Sequence, residues 1–188
     1  MNITYRLADP KNPRDLIEIK NVTNEAFMAD TFFKKKEYYE RFDNDSVSSM
    51  INSENSVFIL AEIDNMIVGS IFLETSHEIL YKEQQISNLD KVVSIVTTGK
   101  FSAVSVLNSW GKKGIGKSLV SQAELYTMKM SKQFYDQKKK DNEEDCTNYS
   151  SSTFIEMGVI NLRKDLFPWF LKDLIYKIPF LLIPNIIC

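Results

Sequence analysis

Val104-Ser105-Val106-Leu107-Asn108-Ser109-Trp110-Gly111-Lys112-Lys113-Gly114-Ile115-Gly116-Lys117-Ser118 reads as a strand, a glycine-and-lysine turn and the opening of a helix. Backbone N–H groups, the positive end of a helix dipole and lysine charge converge in such a segment, and together they hold a phosphate. Two phosphate-binding templates fit these letters, and they imply different chemistry.

The first is the nucleotide loop G-x-x-x-x-G-K-[ST], which Gly111, Gly116, Lys117 and Ser118 satisfy. The surroundings oppose it. Asn108-Ser109-Trp110 separate the strand from the first glycine, whereas a P-loop follows its strand directly. A nucleotide hydrolase also needs a second strand ending in Asp to help hold Mg²⁺. The strand expected over Thr153 to Asn161 runs into Asn161-Leu162-Arg163 instead. A P-loop nucleotide binder is therefore the lesser alternative.

The second template is [QR]-x-x-G-x-[GA]. Gly114-Ile115-Gly116 fills its core, and Gly111 occupies the Gln/Arg position. Ile115, Leu119, Ala123, Tyr126 and Met130 give the following helix one apolar face. In this loop, and in the strand Gly99 to Val106 before it, the chain resembles the GNAT N-acetyltransferases. The order along the chain agrees. Ile3 to Leu7 alternates as a short strand. Asn12-Pro13 fits a helix cap followed by proline at the first helical position, with Leu16, Ile19, Thr23, Ala26 and Phe27 on one side. A second short helix is expected near Ser46 to Asn52. Ser56 to Ile63 and Met66 to Glu74 form a hairpin about Asp64-Asn65. After the loop helix come the strand Thr153 to Asn161 and a helix from about Asp165 to Leu174. Val159-Ile160-Asn161-Leu162-Arg163-Lys164-Asp165-Leu166-Phe167-Pro168-Trp169-Phe170 resembles the family's N-L-R-x-x-L-x-P-W-Y segment.

The resemblance implies an α/β (α+β) GNAT fold, a central mixed twisted sheet flanked by helices, with the C-terminal strands cut short. It implies acetyl-CoA as cosubstrate, with no metal. The backbone at Val104, Ser105 and Val106 would pair with pantetheine. The turn Gly111, Lys112, Lys113, Gly114, Ile115, Gly116 and Lys117 would face the pyrophosphate. An N-acetyltransferase acting on a primary amine of a small molecule, by direct attack in a ternary complex, is the expected activity. A CoA-binding protein with little turnover is the alternative, because Phe170 replaces the family's proton-donating tyrosine and Leu174 or Ile175 its later glycine. Tyr176 is the substitute donor. Lys100 occupies the position aligned with a frequent glutamate base, which leaves Glu74 and Glu156 as candidates. Glu156 lies in the apolar run Phe154-Ile155-Glu156-Met157-Gly158-Val159, where burial would raise its pKa, unless strand alternation turns it to water. His77, the only histidine, is expected in a surface loop. The acceptor walls would be Phe27 to Tyr39 and Ser76 to Thr98, with aromatic Phe27, Phe32, Phe33, Tyr38 and Tyr39 and acidic Asp30, Glu37 and Glu40.

Composition sets the outer bounds. A chain of 188 residues, 44% hydrophobic, is long enough for a single domain with its own core. A net charge of −2 offers no general attraction to nucleic acid. No secretory signal opens the chain, and Cys146 and Cys188 form neither a disulfide framework nor a metal site, so a cytoplasmic setting is expected. Residues 132–152, with Lys138-Lys139-Lys140 and Glu143-Glu144-Asp145, read as a solvated, disordered insertion. The apolar tail 176–188 is atypical of the family, and too short and proline-broken for stable membrane insertion, which takes about 20 apolar residues.

Overall fold

A computed structural model describes residues 2–29, 42–83, 91–141 and 148–157. The elements are β1 (Thr4–Leu7), α1 (Pro13–Ala29), α2 (Asn44–Ile51), β2 (Ser56–Ile63), β3 (Met66–Glu83), β4 (Lys91–Val106), a 3₁₀ turn (Asn108–Trp110), α3 (Ile115–Asp141) and β5 (Asn148–Met157). The strands form one sheet in the order β1-β2-β3-β4-β5. β1 and β2 are antiparallel, with Thr4 opposite Glu62, and β2 and β3 are antiparallel, with Phe58 opposite Phe72. Neighbours β4 and β5 are joined through α3, and the sheet is mixed.

The described residues divide into two compact units, one within residues 1–74 and 100–126, the other within residues 75–99 and 127–157. In the first, α1 starts where the Asn12 side chain accepts the Arg14 N–H at 3.1 Å, with Pro13 at the first helical position. α2 begins in a capping box: Asp43 accepts the Ser46 N–H at 2.7 Å while the Ser46 hydroxyl accepts the Asp43 N–H at 3.0 Å. Ile19 and Val22 of α1, Val47 and Ile51 of α2, and Phe58, Leu60, Ile67 and Phe72 of the sheet close one core. Phe58 packs on Phe72 with ring centroids 4.9 Å apart. Burying each such side chain contributes about 1.5–3 kcal/mol.

Across the same strands, Ile115 and Leu119 of α3 come down on Gly69, where a Cβ would meet their side chains at 3.3 and 3.2 Å. Asp64 and Asn65 both have positive φ, 49° and 63°, the geometry of a tight hairpin turn. The corner between β1 and α1 is tied by Asp15, which is wholly buried and accepts from Arg6 Nη1 and Nη2 at 2.7 and 2.8 Å.

In the second unit, the ends of β3 and β4 alternate in burial: Thr75 inside and Ser76 out, Val93, Ile95 and Thr97 inside. Gly99 lies against Thr127 of α3, so closely that a Cβ would meet its Oγ1 at 2.3 Å.

Three boundaries depart from expectation. The loop expected over Ser76 to Thr98 is strand over residues 76–83 and 91–98, with period-two burial over 75–80 and 93–99, and residues 84–90 lie outside the described ones. The expected disordered insertion over 132–152 is helix as far as Asp141, where lysines in the last turn meet the negative end of the dipole. β5 (Asn148–Met157) begins five residues before the expected start at Thr153, and residues 158–161 lie outside the described ones. The helix expected over 165–174 and the tail 176–188 lie outside the described residues.

Candidate active site on the β4–α3 turn

β4 ends in an irregularity that no letter announces. Ala103 has φ 51°, a left-handed conformation for a residue with a Cβ, in the middle of a strand. It is buried in the core, and the buried Ser105 hydroxyl donates to its carbonyl at 3.1 Å. β3 approaches the same point: a Cβ on Gly69 would meet the Ser105 carbonyl oxygen at 3.0 Å. Val104 and Val106 are half-buried. The Leu107 N–H then donates to the Val68 carbonyl at 2.9 Å and closes the strand.

The turn follows at once. Trp110 N–H donates to Leu107 C=O at 2.8 Å and Gly111 N–H to Asn108 C=O at 3.0 Å. A Cβ on Gly111 would meet that Asn108 oxygen at 3.1 Å, so glycine lets the 3₁₀ turn close here. Lys112 (φ 60°) and Gly114 (φ 80°) are both left-handed, and a Cβ at 114 would meet nothing within 4 Å. The first helical bond is Ser118 N–H to Gly114 C=O at 3.0 Å. The amides of Ile115 and Gly116 precede it and have no intrahelical acceptor.

No acidic residue lies in the first turn of α3, so the dipole end is not already answered by the helix's own charge. Gly116 faces the strand, where an added Cβ would lie 3.8 Å from Val106 Cγ2 and 4.0 Å from Val104 Cγ1. Lys113 holds its Nζ 4.1 Å from the centroid of the Trp110 ring, a cation–π contact. A pyrophosphate fits this donor set of helix-end amides, lysine charge and an open face at Gly114.

Val104, Ser105, Val106, Gly111, Lys112, Lys113, Gly114, Ile115, Gly116 and Lys117 thus share one continuous strand, turn and helix start. Of the proposed proton-transfer groups, Glu74 is the one whose side chain is described. Glu74 is exposed on β3, opposite Ser56 of β2. Glu156 falls on β5, with its side chain outside the described set, as are Tyr176 and Phe170. Among the described residues no group of three or more His, Cys, Asp or Glu could hold a metal ion.

His77 departs from its expected loop. It lies on β3, half-buried, its Nδ1 2.9 Å from Thr97 Oγ1 and its ring stacked on Phe134 at 4.1 Å and 3°. Burial lowers its pKa. The alternation Thr75, His77, Ile79 was the signal available for it in the sequence. In the second unit a cavity of about 460 Å³ opens between Ser131, Tyr135 and Lys139 of α3 and Ser151 and Thr153 of β5. None of the expected site residues lines it.

Similar folds occur among acetyltransferases. An aminoglycoside acetyltransferase from an uncultured soil metagenomic sample, in complex with sisomicin, is 14% identical, with a TM-score of 0.51 over 92% of this chain and 86% of that one. A tetramutant of the BH1408 protein from Bacillus halodurans is 12% identical, with a TM-score of 0.53 over 90% of this chain and 91% of that one. A GNAT family acetyltransferase from Brucella melitensis, in complex with acetyl-CoA, is 16% identical, with a TM-score of 0.48 over 87% of this chain and 81% of that one. No protein-family model matches the sequence, and no curated protein does. The architecture is an α/β fold shared with that aminoglycoside acetyltransferase. In particular, the chain has the GNAT fold.

Proposed function

We propose that this chain is an N-acetyltransferase that moves an acetyl group from acetyl-CoA to a primary amine of a small molecule. The observation that carries the reading is the β4–α3 turn, where two left-handed residues and the bare end of α3 follow directly on a kinked strand. The likeness of fold to an acetyltransferase seen with sisomicin, a small molecule and not a protein tail, supports the acceptor class.

Acetyl-CoA supplies an acyl group activated as a thioester. The chain's part is to hold and orient it. The amides of Ile115 and Gly116 and the charges of Lys112, Lys113 and Lys117 would take the pyrophosphate. The backbone of Val104, Ser105 and Val106 would pair with the pantetheine arm, and one N–H there would stabilise the oxyanion. The amine nitrogen attacks the carbonyl carbon, the C–N bond forms and the C–S bond breaks. The amine loses one proton to a base, and the thiolate takes up one. Glu74 and Glu156 are the base candidates and Tyr176 the acid candidate.

A second reading, CoA binding with little turnover, is favoured by the exposure of Glu74 and by Phe170 in the donor position of the motif. Thermal unfolding with acetyl-CoA, CoA, ATP–Mg²⁺ and GTP–Mg²⁺ separates these readings. A ligand at about 100 times its Kd stabilises by about 2.7 kcal/mol. Stabilisation by acetyl-CoA with thiol release across an amine panel is the expected result. Stabilisation without release supports the second reading, and a response to nucleotide alone overturns both.

A further inference from the structure

A left-handed alanine in a strand costs about 1–2 kcal/mol relative to ordinary extended backbone, and such strain persists only where the surroundings over-determine it. At Ala103 the determinant is visible. Ser105, 1% exposed, donates its hydroxyl to the Ala103 carbonyl two residues back, at 3.1 Å. The Ala103 methyl is fixed in the core with Phe58 and Phe72. The bare Cα of Gly69 lets β3 close on the Ser105 carbonyl.

A buried hydroxyl is an odd choice for this inward-facing strand position. It loses hydration that alanine or valine would not lose, and it is worth its cost only through the bond it makes. That bond spans the left-handed peptide and nothing else. The positions it brackets, Val104 and Ser105, are those assigned above to the acyl-bearing arm.

We propose that Ser105 is a positioning residue, whose hydroxyl clamps the left-handed Ala103 peptide and so fixes the Val104 backbone in the conformation used for acyl transfer. The assignment rests on the acetyltransferase reading for its purpose, but the clamp itself is testable without turnover.

Ser105→Ala and the double variant Ser105→Ala/Ala103→Gly test it. Glycine holds positive φ without help, so it should replace the clamp. Ser105→Ala is expected to lower kcat at least about tenfold, in line with the cost of a small misplacement, with KM for acetyl-CoA within about twofold. The double variant is expected to recover most of the loss. In parallel, amide hydrogen exchange by NMR should show Val104 exchanging faster in Ser105→Ala and slower again in the double variant. Unchanged kcat and unchanged exchange in Ser105→Ala overturn the proposal. So does a loss that the glycine does not relieve, since a merely structural hydroxyl would behave that way. If the wild type releases no thiol with any amine while Val104 exchange follows the stated pattern, the acetyltransferase reading falls and the clamp stands.

Discussion

Asp15 shows how one buried charge sets a corner of the fold. Besides the two Arg6 bonds it accepts the Asp9 N–H at 2.9 Å and the Asn12 amide at 3.2 Å. Burial pushes its carboxyl pKa up, but the Arg6 hydrogen bonds and the Asp9 N–H outweigh this and hold it below the usual carboxylate range. Asp15→Asn should therefore cost about 2–3 kcal/mol, the scale for hydrogen bonds to a charged group, read from the urea midpoint at constant slope. Because the native pKa is lowered, the contribution is complete above about pH 5 and is lost as pH falls through that native value. The gap between wild type and Asp15→Asn should accordingly close in acid. At the β4–α3 turn the two glycines should behave differently. Gly114→Ala meets no atom but forces an L residue to φ 80°, at about 1–2 kcal/mol. Gly116→Ala makes only ordinary contacts with Val104 and Val106 and should stay within about 0.5 kcal/mol of wild-type stability.

At the scale of elements, the approach of β4 to α3 in the second unit depends on the missing Cβ of Gly99. Gly99→Ala would drive its methyl into Thr127, and overpacking of this kind costs about 1–3 kcal/mol. Adding Thr127→Ala removes the Oγ1 and Cγ2 in the way and should return part of that loss in thermal unfolding. These elements also mark what the letters could disclose. Pro13 after Asn12, the run Ser56 to Ile63, the Asp64-Asn65 turn and the glycine loop are local signals, and each appears where the sequence places it. The far ends of β3 and β4 were only weakly legible, since Thr75, His77, Thr97 and Gly99 stand among the apolar inward positions and dilute the hydrophobic alternation. The charged stretch from Lys132 onward read as solvated loop. Its lysines are helical, with Lys132 paired to Asp136 at 2.8 Å one turn on. Of the candidate site, the turn between β4 and α3 was legible as a strand, turn and helix start. The kink at Ala103 was not, because alanine carries no letter-level sign of positive φ.

For the molecule as a whole, the two units differ in what fills them among the described residues. The first buries Phe58, Leu60, Ile71, Phe101 and Leu119. The second buries Val93 and Ile95 beside Thr75, Thr97, Thr127 and Ser131. Hydroxyls bring less transfer free energy than hydrocarbon of the same size, so native-state hydrogen exchange should find weaker protection at Ile95 and Thr97 than at Ile59, Leu60 and Ile71. His77 adds a pH dependence to the second unit. Its pKa is lowered by burial, while an unfolded histidine protonates at about pH 6.5. Stability from the neutral ring is therefore complete above that value and falls as pH drops toward the native pKa. Melting temperatures between pH 8 and pH 5 should decline less in His77→Gln than in wild type. The Trp110–Lys113 contact carries an optical consequence. One of the chain's two tryptophans sits on the β4–α3 turn with an ammonium over its ring. An anion that draws Lys113 away should change the indole's emission, so titrating acetyl-CoA against tryptophan fluorescence tests the proposed site without a label.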